Sequence, residues 1–322
     1  MLQRLIIITG TLAAIAAGAA AQSLNIDLNR TTGTGAGVPA ANFGAAAGQP
    51  GTWNNVATGD GTTSLVGLNG ASAGVTAVMK TNGARDNTSG GAAPADYGLL
   101  MWDYTRGFTQ SGEAEVTLNG LDQGLYRVYV YAYLPGSEGS YTDSFGATVY
   151  HTNWIGVTIG NTPSGSDVIS GPATAGQFTD GATHAVFNIL VPAGSPAVKI
   201  RVACDLANGL AKCAFNGLQL VKYSGSRVYV DKNAAVAAGD NGLTWNSAFV
   251  DLQAALDLAD AANGAITEIW VADGTYLPHP SSRFATFNLL NGVKLIGGFA
   301  GGETDVSDRD TWNQRAYLAG SI

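Results

Sequence analysis

Between residues 23 and 223 the chain repeats one local pattern: a short run rich in β-branched and aromatic side chains, closed by Gly, Asn, Asp or Pro. The clearest runs are 24–28, 64–68, 75–80, 113–118, 125–133, 154–159, 184–191, 198–204 and 215–223. None carries the period of a long amphipathic helix, so this stretch is limited to strands joined by turns. Composition agrees: 44 glycines and only 12% charged residues leave little material for charged surface helices. The expectation is an all-β fold, with this stretch forming a β-sandwich.

Period-2 alternation assigns faces within the strands. In 198–204, Val198, Ile200 and Val202 point one way and Lys199 and Arg201 the other, which predicts one wet face. The run 184–191 is apolar on nearly both parities and reads as a central strand covered on both sides. In 125–133, Tyr126, Val128, Val130 and Ala132 share a core face, leaving Arg127, Tyr129, Tyr131 and Tyr133 opposite. Such a row of phenol rings either stacks against sugar rings or packs under a loop, because tyrosine is a favoured strand residue. Trp53, Trp102, Tyr104, Tyr141 and Trp154 fall in or beside turn signals, where they either plug the ends of the sandwich or contact a ligand.

The N-terminus, residues 1–21, has a basic start, an apolar run and an Ala-Ala-Ala segment. It reads as a secretory signal too short to span a membrane once cleavage is allowed for. Its removal leaves 15 basic and 24 acidic side chains, a net of 15 − 24 = −9. That balance argues against nucleic acid or an anionic membrane as partner. Cys204 and Cys213 flank Asn208-Gly209, a strong turn dipeptide, so in an exported protein they are expected to close a disulfide across a hairpin loop.

After a short Ser-Gly-Ser hinge (224–226), the stretch 227–322 changes character. A strand at 228–231 precedes a Gly-rich loop and a helical stretch, 245–262, in which Leu252, Ala255, Leu256 and Ala259 recur at helical spacing and Asn246 or Ser247 can cap the start. Strand-like segments follow at 268–272, 293–297 and 317–322. Ile269 and Leu295 are 295 − 269 = 26 residues apart, and Leu295 and Leu318 are 318 − 295 = 23 apart, as expected for successive coils of a solenoid.

Two resemblances follow from particular residues. The strand–turn–strand of 113–133, turning at Asn119-Gly120-Leu121-Asp122-Gln123-Gly124, together with Phe215-Asn216-Gly217-Leu218-Gln219-Leu220, resembles the galactose-binding-like jelly rolls of bacterial carbohydrate-binding modules. In the second stretch, Tyr229-Val230-Asp231, Trp245-Asn246-Ser247-Ala248-Phe249, Glu268-Ile269-Trp270-Val271-Ala272-Asp273-Gly274 and Gly297-Gly298-Phe299-Ala300-Gly301-Gly302-Glu303 resemble the entry to secreted right-handed parallel β-helix proteins of the pectin-lyase type. The implied architecture is a jelly-roll β-sandwich (23–223), a linker (224–226), and the capped first coils of a right-handed parallel β-helix (227–322), with the 245–262 helix as the cap. Because the chain stops in mid-strand, a fragment of a longer reading frame is expected.

The first resemblance also allows a calcium site at Asp103 and Asp143. Two acidic clusters, Glu303/Asp305/Asp308/Asp310 and Asp231/Asn233/Asp240/Asn241, either take calcium or serve as solvated turn residues. His151, His184 and His279 are isolated in sequence, and no residue is assigned a catalytic role. The leading expectation is an exported surface or extracellular protein that binds polysaccharide or cell-surface glycan and uses the β-helix as a stiff stalk. The rival is a polysaccharide lyase or hydrolase whose catalytic coils lie past residue 322, and a third reading is a purely structural module.

Overall fold

The computed structural model describes residues 22–29, 37–57, 61–80, 84–86, 95–105, 113–134, 140–142, 145, 147–174, 176–204, 214–235, 240–279, 282 and 284–320. The secretory-signal stretch, Asp143 and Cys213 lie outside them. Along the first part the elements are β1 (Leu24–Asn29), β2 (Trp53–Ala57), β3 (Thr62–Val66), β4 (Ser72–Lys80), β5 (Ala84–Asp86), α1 (Ala95–Met101), β6 (Asp103–Thr105), β7 (Glu113–Asn119) and β8 (Gly124–Tyr131). These are followed by β9 (Ser140–Thr142), β10 (Thr148–Tyr150), β11 (Asn153–Ile159), β12 (Thr162–Ile169), β13 (His184–Val191), β14 (Val198–Cys204) and β15 (Gly217–Lys222).

Two sheets face each other. One has the order β13-β8-β15-β1-β2, the other β12-β11-β14-β7-β4-β3. Their inward parities meet in a single core that includes Ile26, Val128, Val130, Leu218 and Leu220 from the first sheet and Val75, Val116, Ile155, Val157, Ile200 and Val202 from the second. The chain is thus all-β with few helices, and the alternation predicted for β8 and β14 holds residue by residue. Position within a sheet differs from expectation for β13, which is an edge strand and not a central one. Its two apolar parities have different partners. Ala185, Phe187, Ile189 and Val191 enter the core between the sheets, while Val186 packs on the other side in a second apolar cluster.

That second cluster covers the outer face of the five-stranded sheet and continues into the rest of the chain. It joins Tyr129, Tyr131, Val221 and Tyr223 to Tyr97 and Leu100 of α1, and to Val228, Phe249, Leu252, Ala255 and Ile269. These last residues belong to β16 (Arg227–Val230), the stretch after it, α2 (Leu252–Ala261) and β17 (Glu268–Ala272). The helix is shorter than predicted: Trp245–Ser247 is a separate 3-10 turn capped by Thr244, and Asp251 caps α2 by accepting from the Gln253 amide at 2.9 Å. Its buried face, Leu252, Ala255, Leu256, Leu258 and Ala259, includes the four positions read from helical spacing.

The remaining strands are β18 (Gly274–Tyr276), β19 (Lys294–Phe299) and β20 (Ala316–Leu318). Strands β16, β17 and β19 form a parallel sheet with Val228, Ile269 and Leu295 in register. The 26-residue spacing from Ile269 to Leu295 is therefore a true strand-to-strand repeat. The spacing from Leu295 to Leu318 is not, because Leu318 pairs with Tyr276 in a second parallel pair, β18 with β20. A glycine-rich bend after Phe299 and the turns at Asp305 and Asp310 carry the chain to that other face. No helix among the described residues is long and apolar enough to cross a membrane.

Candidate functional site

The row of phenol rings on β8 is covered in this fold, apart from the half-buried Tyr133. Arg127, Tyr129 and Tyr131 are buried under the second segment and the loop at 41–49. The Tyr129 hydroxyl donates to the Asp240 carbonyl at 2.8 Å, and the Tyr131 hydroxyl donates to Gln219 Oε1 while accepting from the Ala46 amide at 2.9 Å. Arg127 donates to the Tyr129 hydroxyl at 3.0 Å and to Asn188 Oδ1 at 3.2 Å, with its guanidinium 4.9 Å from the centre of the Phe249 ring. Tyr133, past the end of β8, is half-buried against the same cluster. The packing alternative thus describes this face, because the second segment supplies the apolar surface that covers it.

Among the tryptophans, Trp53 is buried with its indole N–H donating to the Phe43 carbonyl at 3.1 Å, and Trp102 is half-buried against the second cluster. Tyr104 and Tyr141 lie in β6 and β9, and their side chains, like those of Asp103 and Cys204, fall outside the described residues. Trp154 behaves differently. It is the second residue of β11, in the strand expected from the run 154–159, and is 54% exposed.

Strand pairing builds a site around Trp154 on the outer face of the six-stranded sheet. Across the strands, Trp154 is level with Val168 and Ala203, Gly156 with Ser166 and Arg201, and Thr158 with Lys199. The next strand places Glu113 beside Ala203, Glu115 beside Arg201 and Thr117 beside Lys199, and β4 adds Lys80 beside Glu115. An indole therefore stands next to a floor made of Gly156 and Ala203. A Cβ at Gly156 would meet nothing within 4 Å, so the floor is open above that glycine. Two adjoining depressions of about 400 Å³ and 280 Å³ occupy this face and share Gly156 and Arg201.

The polar groups here are fixed by their neighbours. Arg201 Nη2 lies 3.0 Å from Glu115 Oε2, and its Nε is 3.6 Å from Glu113 Oε2. The pair is solvent-accessible, so it contributes little to stability, about 0–1 kcal/mol. Its effect is orientation: two carboxylates hold one guanidinium at the depression that Trp154 also lines. The sequence identified Lys199 and Arg201 as the wet parity but did not connect them with Trp154. Gly156 went unnoticed, and the one local signal was the alternation Trp154-Gly156-Thr158, which leaves a gap beside an aromatic.

In the acidic clusters read as either calcium ligands or turn residues, most carboxylates are tied to nearby amides and side chains, while the buried Asp240 Oδ1 has no partner among the described residues. Glu303 accepts from the Ala300 and Gly301 amides at 2.5 and 3.0 Å, Asp305 from Ser307, and Asp310 from Trp312 and Asn313. Bonds from the side chain and amide of Ser307 hold the Asp305 carboxyl below the usual range, those from the side chain and amide of Asn313 do the same for Asp310, and for Glu303 burial pushes up but the surrounding backbone amides bring the carboxyl below that range. In the other cluster, Asp231 accepts from the Asn233 amide, while Asn241 accepts from Leu243 and donates to the Ala47 carbonyl. Neither set converges as calcium ligands would. Among the described residues no three His, Cys, Asp or Glu side chains gather as a metal site.

No family model matches the chain, and no curated protein matches it. Similar solved structures include the CBM36-1 domain of a multidomain xylanase from the hindgut metagenome of Trinervitermes trinervoides, at 12% identity and a TM-score of 0.26, covering 45% of this chain and 95% of that one. A carbohydrate-binding module CBM36 in complex with calcium and xylotriose is similar at 10% identity and a TM-score of 0.25, covering 44% and 91%. The CBM35 from Cellvibrio japonicus Abf62 is similar at 12% identity and a TM-score of 0.24, covering 46% and 94%.

Proposed function

We propose that this is an exported glycan-binding protein that takes polysaccharide on the Trp154 face of its sandwich. The observation that carries the reading is a half-exposed indole standing beside a bare glycine floor and a braced Arg201–Glu115 pair. A pyranose ring has an apolar face that suits an indole and a rim of hydroxyls that both donate and accept, which suits an ion pair offering both functions. In this reading the second segment is the start of a right-handed parallel β-helix serving as a stiff stalk. The parallel register of β16, β17 and β19, and separately of β18 and β20, supports that. Export by the 1–21 signal, a Cys204–Cys213 disulfide and a calcium requirement remain parts of the proposal that rest on sequence.

The test is affinity electrophoresis of the full chain through gels containing different polysaccharides, with and without calcium, for the native protein and for Trp154→Ala and Gly156→Val. Covering the exposed half of an indole removes about 100 Å² from water, which at ~25 cal/mol per Å² is about 2.5 kcal/mol, so Trp154→Ala should weaken binding by tenfold or more. Gly156→Val raises the floor and should do the same. Neither change reaches the core, so unfolding midpoints should stay where they are. Unaltered retardation in both variants, or no retardation on any polysaccharide, would refute the proposal.

A further inference from the structure

Building on the glycan reading, we infer that the turn carrying Trp312 in the second segment is another polysaccharide contact, so that one molecule grips polymer at two separate points. The ligand class rests on that reading. The site itself rests on the turn.

Trp312 is 79% exposed, more than any other tryptophan, yet its backbone is firmly held. The Asp310 carboxylate accepts from the amides of Trp312 and Asn313, each at 3.0 Å, and from Asn313 Nδ2 at 2.6 Å, while Arg315 Nε donates to the Trp312 carbonyl at 3.0 Å. Both main-chain groups of the tryptophan are therefore occupied. The ends of the turn are fastened to strands as well: the Asp310 amide donates to the Gly298 carbonyl of β19 at 2.9 Å, and the Gly274 amide of β18 donates to the Arg315 carbonyl at 3.0 Å. A Cβ on Gly298 would lie 3.1 Å from Thr311, so the turn packs directly against that glycine. A ligand stacking on this indole would not have to order a loop first.

The surroundings select the class of ligand. Thr311, Asn313 and Arg315 are all exposed and polar, so a protein partner, which needs about 800 Å² of matched surface on each side, finds a single ring among polar groups. A pyranose asks for less: an apolar surface for one face and polar groups for its hydroxyls. The Arg315 guanidinium supplies donors and the Asn313 side-chain oxygen an acceptor within the same turn.

Two contact points on one body follow from the packing. Trp154 lies on the outer face of the six-stranded sheet, whereas the second segment docks through Phe249, Leu252 and Ile269 on the outer face of the other sheet. Those faces are divided by the sandwich, whose sheets stand about 10 Å apart, so one sugar ring cannot span both indoles. A repeating polymer can engage both, and the second engagement is favoured by the first.

The test compares the full chain with Trp312→Ala, Trp312→Phe, Trp154→Ala and the double alanine variant, on xylan, mannan and mixed-linkage glucan. Affinity electrophoresis reads binding, and light scattering of protein mixed with soluble polymer reads bridging. Trp312→Ala should weaken retardation by about fivefold or more and abolish the polymer-dependent rise in scattering, with an unchanged unfolding midpoint, and Trp312→Phe should restore much of both. The double variant should bind least. Native retardation and native scattering in Trp312→Ala would overturn the inference, and so would scattering that needs Trp312 but no polymer, which would assign the indole to self-association. Loss confined to Trp154→Ala leaves the glycan reading standing and removes this one. Loss confined to Trp312→Ala does the reverse to the Trp154 face, and no retardation of any protein on any polymer refutes both.

Discussion

Arg127 is a buried cation whose hydrogen-bond partners are both neutral, Tyr129 and Asn188, and it lies where the sandwich meets the second segment. Truncating it and replacing it should therefore have different consequences. Arg127→Ala empties the space over Phe249, loses the cation–π contact and the two side-chain bonds, and leaves the Asn188 oxygen without that donor. The ring contact at ~1 kcal/mol and the cavity and lost bonds at ~2 kcal/mol sum to about 3 kcal/mol, and the relief of no longer burying a charge brings the expected destabilisation to about 2 kcal/mol. Arg127→Met keeps most of the volume over Phe249 and removes the same desolvation penalty, so it should stay within about 1 kcal/mol of the native protein. Denaturant unfolding of the full chain, followed by tryptophan fluorescence, measures both. Asp240 adds a pH signature. Burial holds its carboxyl above the usual range and Arg127 pulls it back down. Without the arginine its folded pKa rises further, so the variants gain relative stability in acid and lose it as the pH climbs through that raised value. An Arg127→Met protein as unstable as Arg127→Ala would show that the charge, not the volume, holds the two parts together, and the reasoning would fail.

Two further stability predictions follow from the same interface. Gly242 has φ +68°, and a Cβ there would lie 2.2 Å from the ring of the fully buried Phe249, so Gly242→Ala should cost about 2–4 kcal/mol by thermal or denaturant unfolding. Gly225→Ala, with open space around it, serves as the neutral control. His184 is kept neutral mainly by burial and secondarily by Arg127, its pKa lowered from 6.5 to about 4. Tyr129, Tyr131 and Phe178 pack around its ring, and Thr183 Oγ1 lies 3.0 Å from its Nδ1. The unfolded chain takes up the proton first as pH falls, so stability is full above 6.5 and declines by up to about 3 kcal/mol as pH drops toward 4. In His184→Gln that part of the acid slope should disappear from a series of unfolding curves across this range, and an unchanged slope would contradict it.

Inward parity was legible in the sequence because alternation is a local property: Val198, Ile200 and Val202 had to share a side whatever the rest of the chain did. The helical face at Leu252, Ala255, Leu256 and Ala259 was legible for the same reason. The parallel repeat from Ile269 to Leu295 could be anticipated from its spacing, but the partner of Leu318 could not. A spacing in residues does not record a chain that leaves one sheet and joins another.

What lay on the outward parity was decided by tertiary structure alone. Tyr129 and Trp154 look alike in sequence, each an aromatic residue in or beside an alternating strand, yet one is sealed under the second segment and the other faces water. No local signal separates them, since the covering residues, Asp240, Phe249 and Leu252, lie more than a hundred positions from Tyr129 along the chain. Likewise, Arg201 stands level with Gly156 and Glu115 only through strand pairings across 45 and 86 residues. The sequence determined which atoms leave water when each strand forms, because that depends on neighbouring residues. Which outer face stayed exposed, and what stood beside Trp154 on it, depended on long-range packing and register that only the folded chain sets.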